Sequence, residues 1–287
     1  MPGAAPQIQY RDEFIAAFGQ RQSLLKETTS KESMVKGNKA TFLIASSSGT
    51  AVTRGVNGLI PSNDNSNTQT ECTLAEKHDL REMTGFNIFQ SQGDQRAIMQ
   101  MNTMSVINRD IDSVLLTELA TTSLDTGGAA TATLTLVSKA MAQLQINGVP
   151  WDGQVFAVIS PAFILYLMAI ASFASADYVT VKPFVNFPGW SAASEKTAGQ
   201  GWYEWMGVKW IVSNQVAGVG TASETCIMYH RSAIGHAIDT KGIDSAIGYD
   251  DKQQMSWARC SVFHGAKLLQ NAGAVRMIHD GSAFVAT

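Results

Sequence analysis

The segment SSSGTAVTRGVNGLIPSNDNSNTQ (46–69) separates two short apolar runs, and it restricts the possible folds of this chain more than any other feature. The flanking residues 41–45 and 70–74 read as strands. Connections longer than about 12–15 residues are uncommon inside compact domains and usually serve a purpose. A two-stranded ribbon is marginal when isolated in water. Two readings stay open: disorder, or a long excursion that rests on a neighbouring subunit.

The composition favours the company of other protein. Of 287 residues, 45% are hydrophobic and only 16% charged, which is sparse for a freely soluble monomer. Few charges and 12 Met imply broad areas facing protein rather than water, and hence an oligomer. The length suits one large domain or two closely joined ones. A net charge of −3 gives no support to dedicated sequence-specific nucleic-acid binding. Cys72, Cys226 and Cys260 form no CxxC pair and cannot all be bridged internally, so a reducing compartment is expected. No basic start followed by an apolar stretch marks a secretion signal.

Periodicity supplies the elements. Residues 8–27 can form an amphipathic helix, with Ile8, Phe14, Ile15, Phe18, Leu24 and Leu25 as contacts. A long helix is predicted over 94–123, with Ile98, Met101, Met104, Ile107, Ile111, Val114 or Leu115, and Leu119 inward. Arg109, Asp110, Asp112 and Glu118 fall on its other side, so Asp112 is expected to be solvated. Asp110 and Asp112 are two residues apart and point in different directions, which makes them a poor carboxylate pair. A second helix over 132–146 turns Leu136, Val137, Ala140, Met141 and Leu144 inward. The most apolar stretch reads as strand 155–159, Ser160 as cap, Pro161 at the first helical position, and a buried helix to about Ala174. That helix is too short to cross a bilayer.

Downstream, Val208, Trp210 and Val212 alternate as in a strand, and Trp202, Trp205 and Trp210 supply packing area. Residues 240–254 read as a polar loop, with strands over 256–263 and 274–279. Gly265 and Gly273 are expected in the tight turns between them.

ETCIMYHRSAIGHAI (224–238) is the one stretch that invites a chemical reading. Alternation puts Cys226, Met228 and His230 on one face of a strand, followed by a short helical turn that holds His236. A zinc site needs three or four converging ligands, and this spacing matches neither CxxC nor HExxH. Glu224 need not face His236. There is no GxSxG elbow and no GxxxxGK[ST] loop. No catalytic, cofactor-binding or metal site is therefore assigned, and no cofactor is expected.

The order of arm, long excursion, long helix, mixed central region and late sheet resembles the major capsid proteins of tailed bacteriophages, the HK97-fold family. CIMYHRSAIGHAI (226–238) and the closing run SVFHGAKLLQNAGAVRMIHD (261–280) carry the local likeness. The resemblance implies an α+β, HK97-like capsid fold. Its parts would be an N-terminal arm at 1–40, an extended loop at 41–85, a peripheral domain with a long spine helix at 86–131, an axial domain at 132–235, and a return to the peripheral domain at 236–287. It further implies a non-enzymatic subunit of the icosahedral head shell that encloses a double-stranded DNA genome. The implied partners are copies of the chain as hexamers and pentamers, the portal protein, and packaged DNA touched without sequence preference. With no coiled-coil segment ahead of the arm, scaffolding is expected from a separate protein. A cement or decoration protein is a further partner the resemblance allows. No membrane is implied. The implied location is the virion capsid, after assembly in the host bacterial cytoplasm. Lys39 and Lys77 flank the loop, but no crosslink is assigned to them.

Charge polarity agrees modestly with this: residues 1–41 carry +2 and the remainder −5. An inward basic arm would favour DNA slightly, by a salt-dependent contact. The nearest alternative is an encapsulin-like cellular compartment, which shares the fold and would hold a cargo enzyme instead of a genome. A metal-dependent hydrolase, acting through Cys226, His230 or His236, is the distant one.

Overall fold

A computed structural model describes residues 22–35, 37–45, 50–56, 58, 60, 67–90, 94–170 and 202–284. The predicted contacts Ile8, Phe14, Ile15 and Phe18 lie outside them. So do residues 171–174 at the end of the apolar helix.

The described chain begins with a single 3-10 turn, Lys26–Thr28, rather than the end of a helix. Leu25 is fully buried there, and Leu24 packs against the same core. There follow β1 (Ser30–Val35), β2 (Lys39–Ile44), β3 (Thr68–Thr73), β4 (Ala75–Thr84) and α1 (Gly85–Gln90). The long helix is α2 (Gln95–Leu119), capped by Asp94, whose carboxylate accepts from the Arg96 and Ala97 amides. Then come α3 (Leu134–Ile146), β5 (Val155–Ile159), α4 (Pro161–Met168), β6 (Trp202–Trp205), β7 (Val208–Val212) and β8 (Glu224–His230). The chain closes with β9 (Ile234–Asp239), β10 (Asp244–Asp250), β11 (Met255–Leu268) and β12 (Ala274–His279).

Among the described residues the strands form three sheets. The first runs β1-β9-β11-β10, with β4 also paired to β11. β9 pairs with β11 at 264–268 and β10 pairs with it at 255–261. β4 covers 255–264, so β9 and β10 lie end to end along one edge of β11 and β4 holds the other. The second sheet is β12-β8-β5-β7-β6. The third is the two-stranded β2-β3 ribbon, antiparallel from Lys39↔Thr73 to Ile44↔Thr68. The excursion is thus a true ribbon at its root.

Local chemistry accounts for several of these elements. Ser160 accepts from the Phe163 amide with Pro161 at the first helical position, so β5 passes directly into α4. Thr133 caps α3, whose five predicted inward residues are all buried. The β6–β7 turn holds both Met206 and Gly207 at positive φ, the primed geometry that matches strand twist. Trp205 and Trp210 are fully buried. Trp202 lies in β6, but its side chain is outside the described set.

Two later segments also differ from expectation. SAIGHAI makes only a 3-10 turn (Arg231–Ala233) and then strand β9, because both its faces are covered and a fully buried strand needs no alternation. Residues 244–250, read as loop, form β10, stabilised by seven register pairs with β11.

The ribbon stands on a floor of small residues. Phe42 lies over Gly235, where an added Cβ would come within 2.7 Å of its ring. Val35, Ala40, Cys72 and Ala237 complete this second, smaller core. Gly265, expected in a turn, sits inside β11, where a side chain would strike the Thr73 carbonyl. Gly265→Val is therefore expected to lift the ribbon off the sheet while the main core persists. Hydrogen exchange should accelerate at 39–44 and 68–73 but not at 155–159. Equal protection of both regions in the variant would refute this contact.

Candidate functional site

The stretch 224–238 is divided between two sheets. Cys226 and His230 lie on β8 in the second sheet, whereas His236 lies on β9 in the first. Burial pushes the Cys226 thiol up to about 12, which disfavours the thiolate. His230 joins Ser232 through Nδ1 at 2.8 Å and Asp152 through Nε2 at 3.1 Å. Among the described residues, no three His, Cys, Asp or Glu side chains gather as metal ligands.

Glu224 begins a largely buried strand and is itself fully buried. It accepts from the Ser160 hydroxyl and from the Gly220 amide, the latter at 2.7 Å. His279 Nε2 stands 3.8 Å from Oε2, the oxygen that also receives Ser160, and burial holds that imidazole below its ordinary pKa. Serine, glutamate and histidine meet here in the wrong order for nucleophilic catalysis. The carboxylate lies between the other two, and Ser160 is a buried helix cap. The cluster ties β8, α4 and β12 together. It is structural.

A second polar joint fixes the described N-terminal end. Asp112 is 1% exposed and accepts from the Ser23 hydroxyl, the Leu24 amide at 2.9 Å and the Leu25 amide at 3.1 Å. Thr28 adds a 2.5 Å hydroxyl contact to Tyr229 on β8. The expectation of a solvated Asp112 is thereby corrected: the 23–25 turn folds over that side of α2 and uses the carboxylate as its cap. Nothing in the sequence near Asp112 signals a partner 87 residues away. The apolar stripe of α2 is also partly displaced. Ile107, Ile111, Leu115 and Leu119 are buried as predicted, whereas Met101 and Met104 are exposed.

The described residues also present apolar surface. Val52, Val56, Ile60 and Leu43 leave apolar side chains in solvent along the excursion, Leu43 being 73% exposed. Near the other end of the first sheet, Ile247 and Tyr249 on β10 are about half exposed. Lys39 pairs with Glu71 at 2.6 Å, and Lys77 with Asp110 at 3.4 Å. No helix among the described residues is long and apolar enough to cross a membrane.

Solved structures share this arrangement. A solved structure from Mycobacterium phage Che8 superposes with a TM-score of 0.72 at 15% identity, over 98% of this chain and 99% of that one. The capsid of the cyanophage P-SCSP1u gives 0.68 at 15% identity, over 95% and 92% of the two chains. The capsid of Ralstonia phage GP4 gives 0.68 at 11%, over 96% and 94%. Comparison with curated proteins returns no match. A long helix packed on one sheet, a second sheet beside it and a ribbon carried on the first define an HK97-like fold. The sequence matches the phage capsid protein family over residues 3–280, and the chain belongs to that family. It is a structural subunit of a phage head shell, located in the virion capsid.

Proposed function

We propose that this subunit is the major head protein of a tailed phage. It builds an icosahedral shell around double-stranded DNA from hexamers and pentamers of itself, without catalytic turnover and without a metal. The exposed apolar excursion is the observation that carries this reading. Its root is held by a small core of its own, yet Val52, Val56 and Ile60 stay exposed in the described subunit. Neighbouring copies would supply that cover and offset the ordering entropy.

In this reading the parts are an arm at 1–40, an extended loop at 41–85, a peripheral domain at 86–131, an axial domain at 132–235 and a peripheral return at 236–287. The pairing of β4 with β11 supports drawing the free part of the loop between β2 and β3. Portal protein, a separate scaffolding protein, a cement or decoration protein and nonspecific DNA contact complete the proposed partners. Assembly takes place in the bacterial cytoplasm. The family match favours a genome-filled head over an encapsulin-like compartment or a hydrolase.

Hydrogen exchange at 50–56 is expected to slow at least tenfold between dissociated subunits and closed particles. Equally fast exchange in both states would remove the excursion from the assembly contacts.

A further inference from the structure

Four ionisable side chains form a line from the root of the excursion into the interior. Lys77 on β4 approaches Asp110 Oδ1 on α2 at 3.4 Å. Asp110 Oδ2 lies 3.2 Å from His264 Nε2 on β11. His264 Nδ1 lies 3.4 Å from His236 Nε2 on β9, with the rings edge to face. Both imidazoles are buried, and His236 Nδ1 has no hydrogen-bond partner among the described residues.

The proton positions follow from the acceptors. A carboxylate only accepts, so His264 carries its hydrogen on Nε2 and offers a bare Nδ1. His236 must then donate from Nε2, leaving its own Nδ1 bare and unmet. One further proton fits nowhere. On His264 Nδ1 it would oppose the His236 N–H, and on His236 Nδ1 it would be a buried donor with no acceptor.

We propose that the His236–His264 pair is a proton-operated release between the long helix and the excursion-bearing sheet. At neutral pH it joins β9 and β11 to α2, and acid favours the state in which they part. Its consequence for a shell rests on the head-protein reading; its test does not. The surrounding charges are Lys26 and Lys31, which oppose a proton on His236, Lys77, which opposes one on His264, and Asp110, which favours it. The Lys267–Glu118 pair bridges the same helix and sheet.

The sign follows from linkage. Burial holds His236 at about 3 and lowers His264, whereas a released imidazole titrates near 6.5. Above 6.5 neither state takes the proton. Below it only the released state does, so the ratio of released to closed rises up to tenfold per pH unit for each histidine, until the closed form also titrates.

The experiment titrates full-length subunit and closed particles from pH 7.5 to 4.5. It follows hydrogen exchange at 107–112, 234–238 and 262–267, together with particle diameter. Exchange at these segments is expected to rise first in wild type, ahead of 155–159. His236→Gln should reduce the pH slope of that opening by up to tenfold per unit, and His264→Gln, which can still donate to Asp110, should do the same. Unchanged slopes in folded variants overturn the proposal. If neither variant folds, the wild-type order of opening decides, and simultaneous opening everywhere overturns it. Failure to form particles would count against the head-protein reading alone, because the dissociated subunit still reports the release.

Discussion

Asp112→Asn is expected to lower the stability of the subunit by about 2–3 kcal/mol, although the residue lies mid-helix among polar neighbours. The carboxylate receives three donors from the 23–25 turn and is almost wholly buried. An amide keeps one oxygen but places an NH₂ group against backbone N–H groups that need an acceptor. Leu25, fully buried beside it, would lose its anchor to the core. Chemical denaturation of the dissociated subunit measures the loss, and exchange at 22–28 locates it. Asp244→Asn is the control. Asp244 is 55% exposed and only 3.7 Å from Arg259, so its change should stay within about 0.5 kcal/mol. Equal effects of the two substitutions would show that Asp112 faces water after all.

Ile107→Asp should be more severe still, at about 4 kcal/mol or more, and should leave little folded subunit to assemble. Ile107 is 1% exposed and lies within the main core on α2. The substitution removes a buried aliphatic group and introduces an unpaired carboxylate in its place. Met101→Asp, on the same helix but 41% exposed, separates folding from assembly. That variant should melt near the wild-type temperature, so any loss of particles from it reports a contact between copies. A soluble, normally melting Ile107→Asp subunit would contradict the assigned face.

Local signals made some of this molecule legible. The Ser160–Pro161 cap, the five inward positions of α3, the β12 strand and the paired roots of the excursion all follow from neighbours a few residues apart. Strand β10 was hidden because Asp, Lys and Gly flank it, and its evidence is the distant β11. The β9 segment concealed its period because both faces are covered. Gly265 looked like punctuation, whereas it is the place where the ribbon crosses a strand. Glu224 was legible only as a ligand, since its true partners, Ser160 and the Gly220 amide, converge through tertiary folding. The capsid resemblance depended on element order, which survives when such pairings are unreadable.

The main core runs without interruption from α2 and α3 through β5, α4, β7 and β8 to β9, β11 and β12. Mechanically, that continuity makes the body of the subunit one stiff tile, with no soft seam between its two sheets along which it could flex cheaply. Tiles set at different tilts in a closed surface must then differ mostly at their margins. The ribbon, which rests on a small core separate from the main one, is the more compliant margin, so variation in local bend should be largest there.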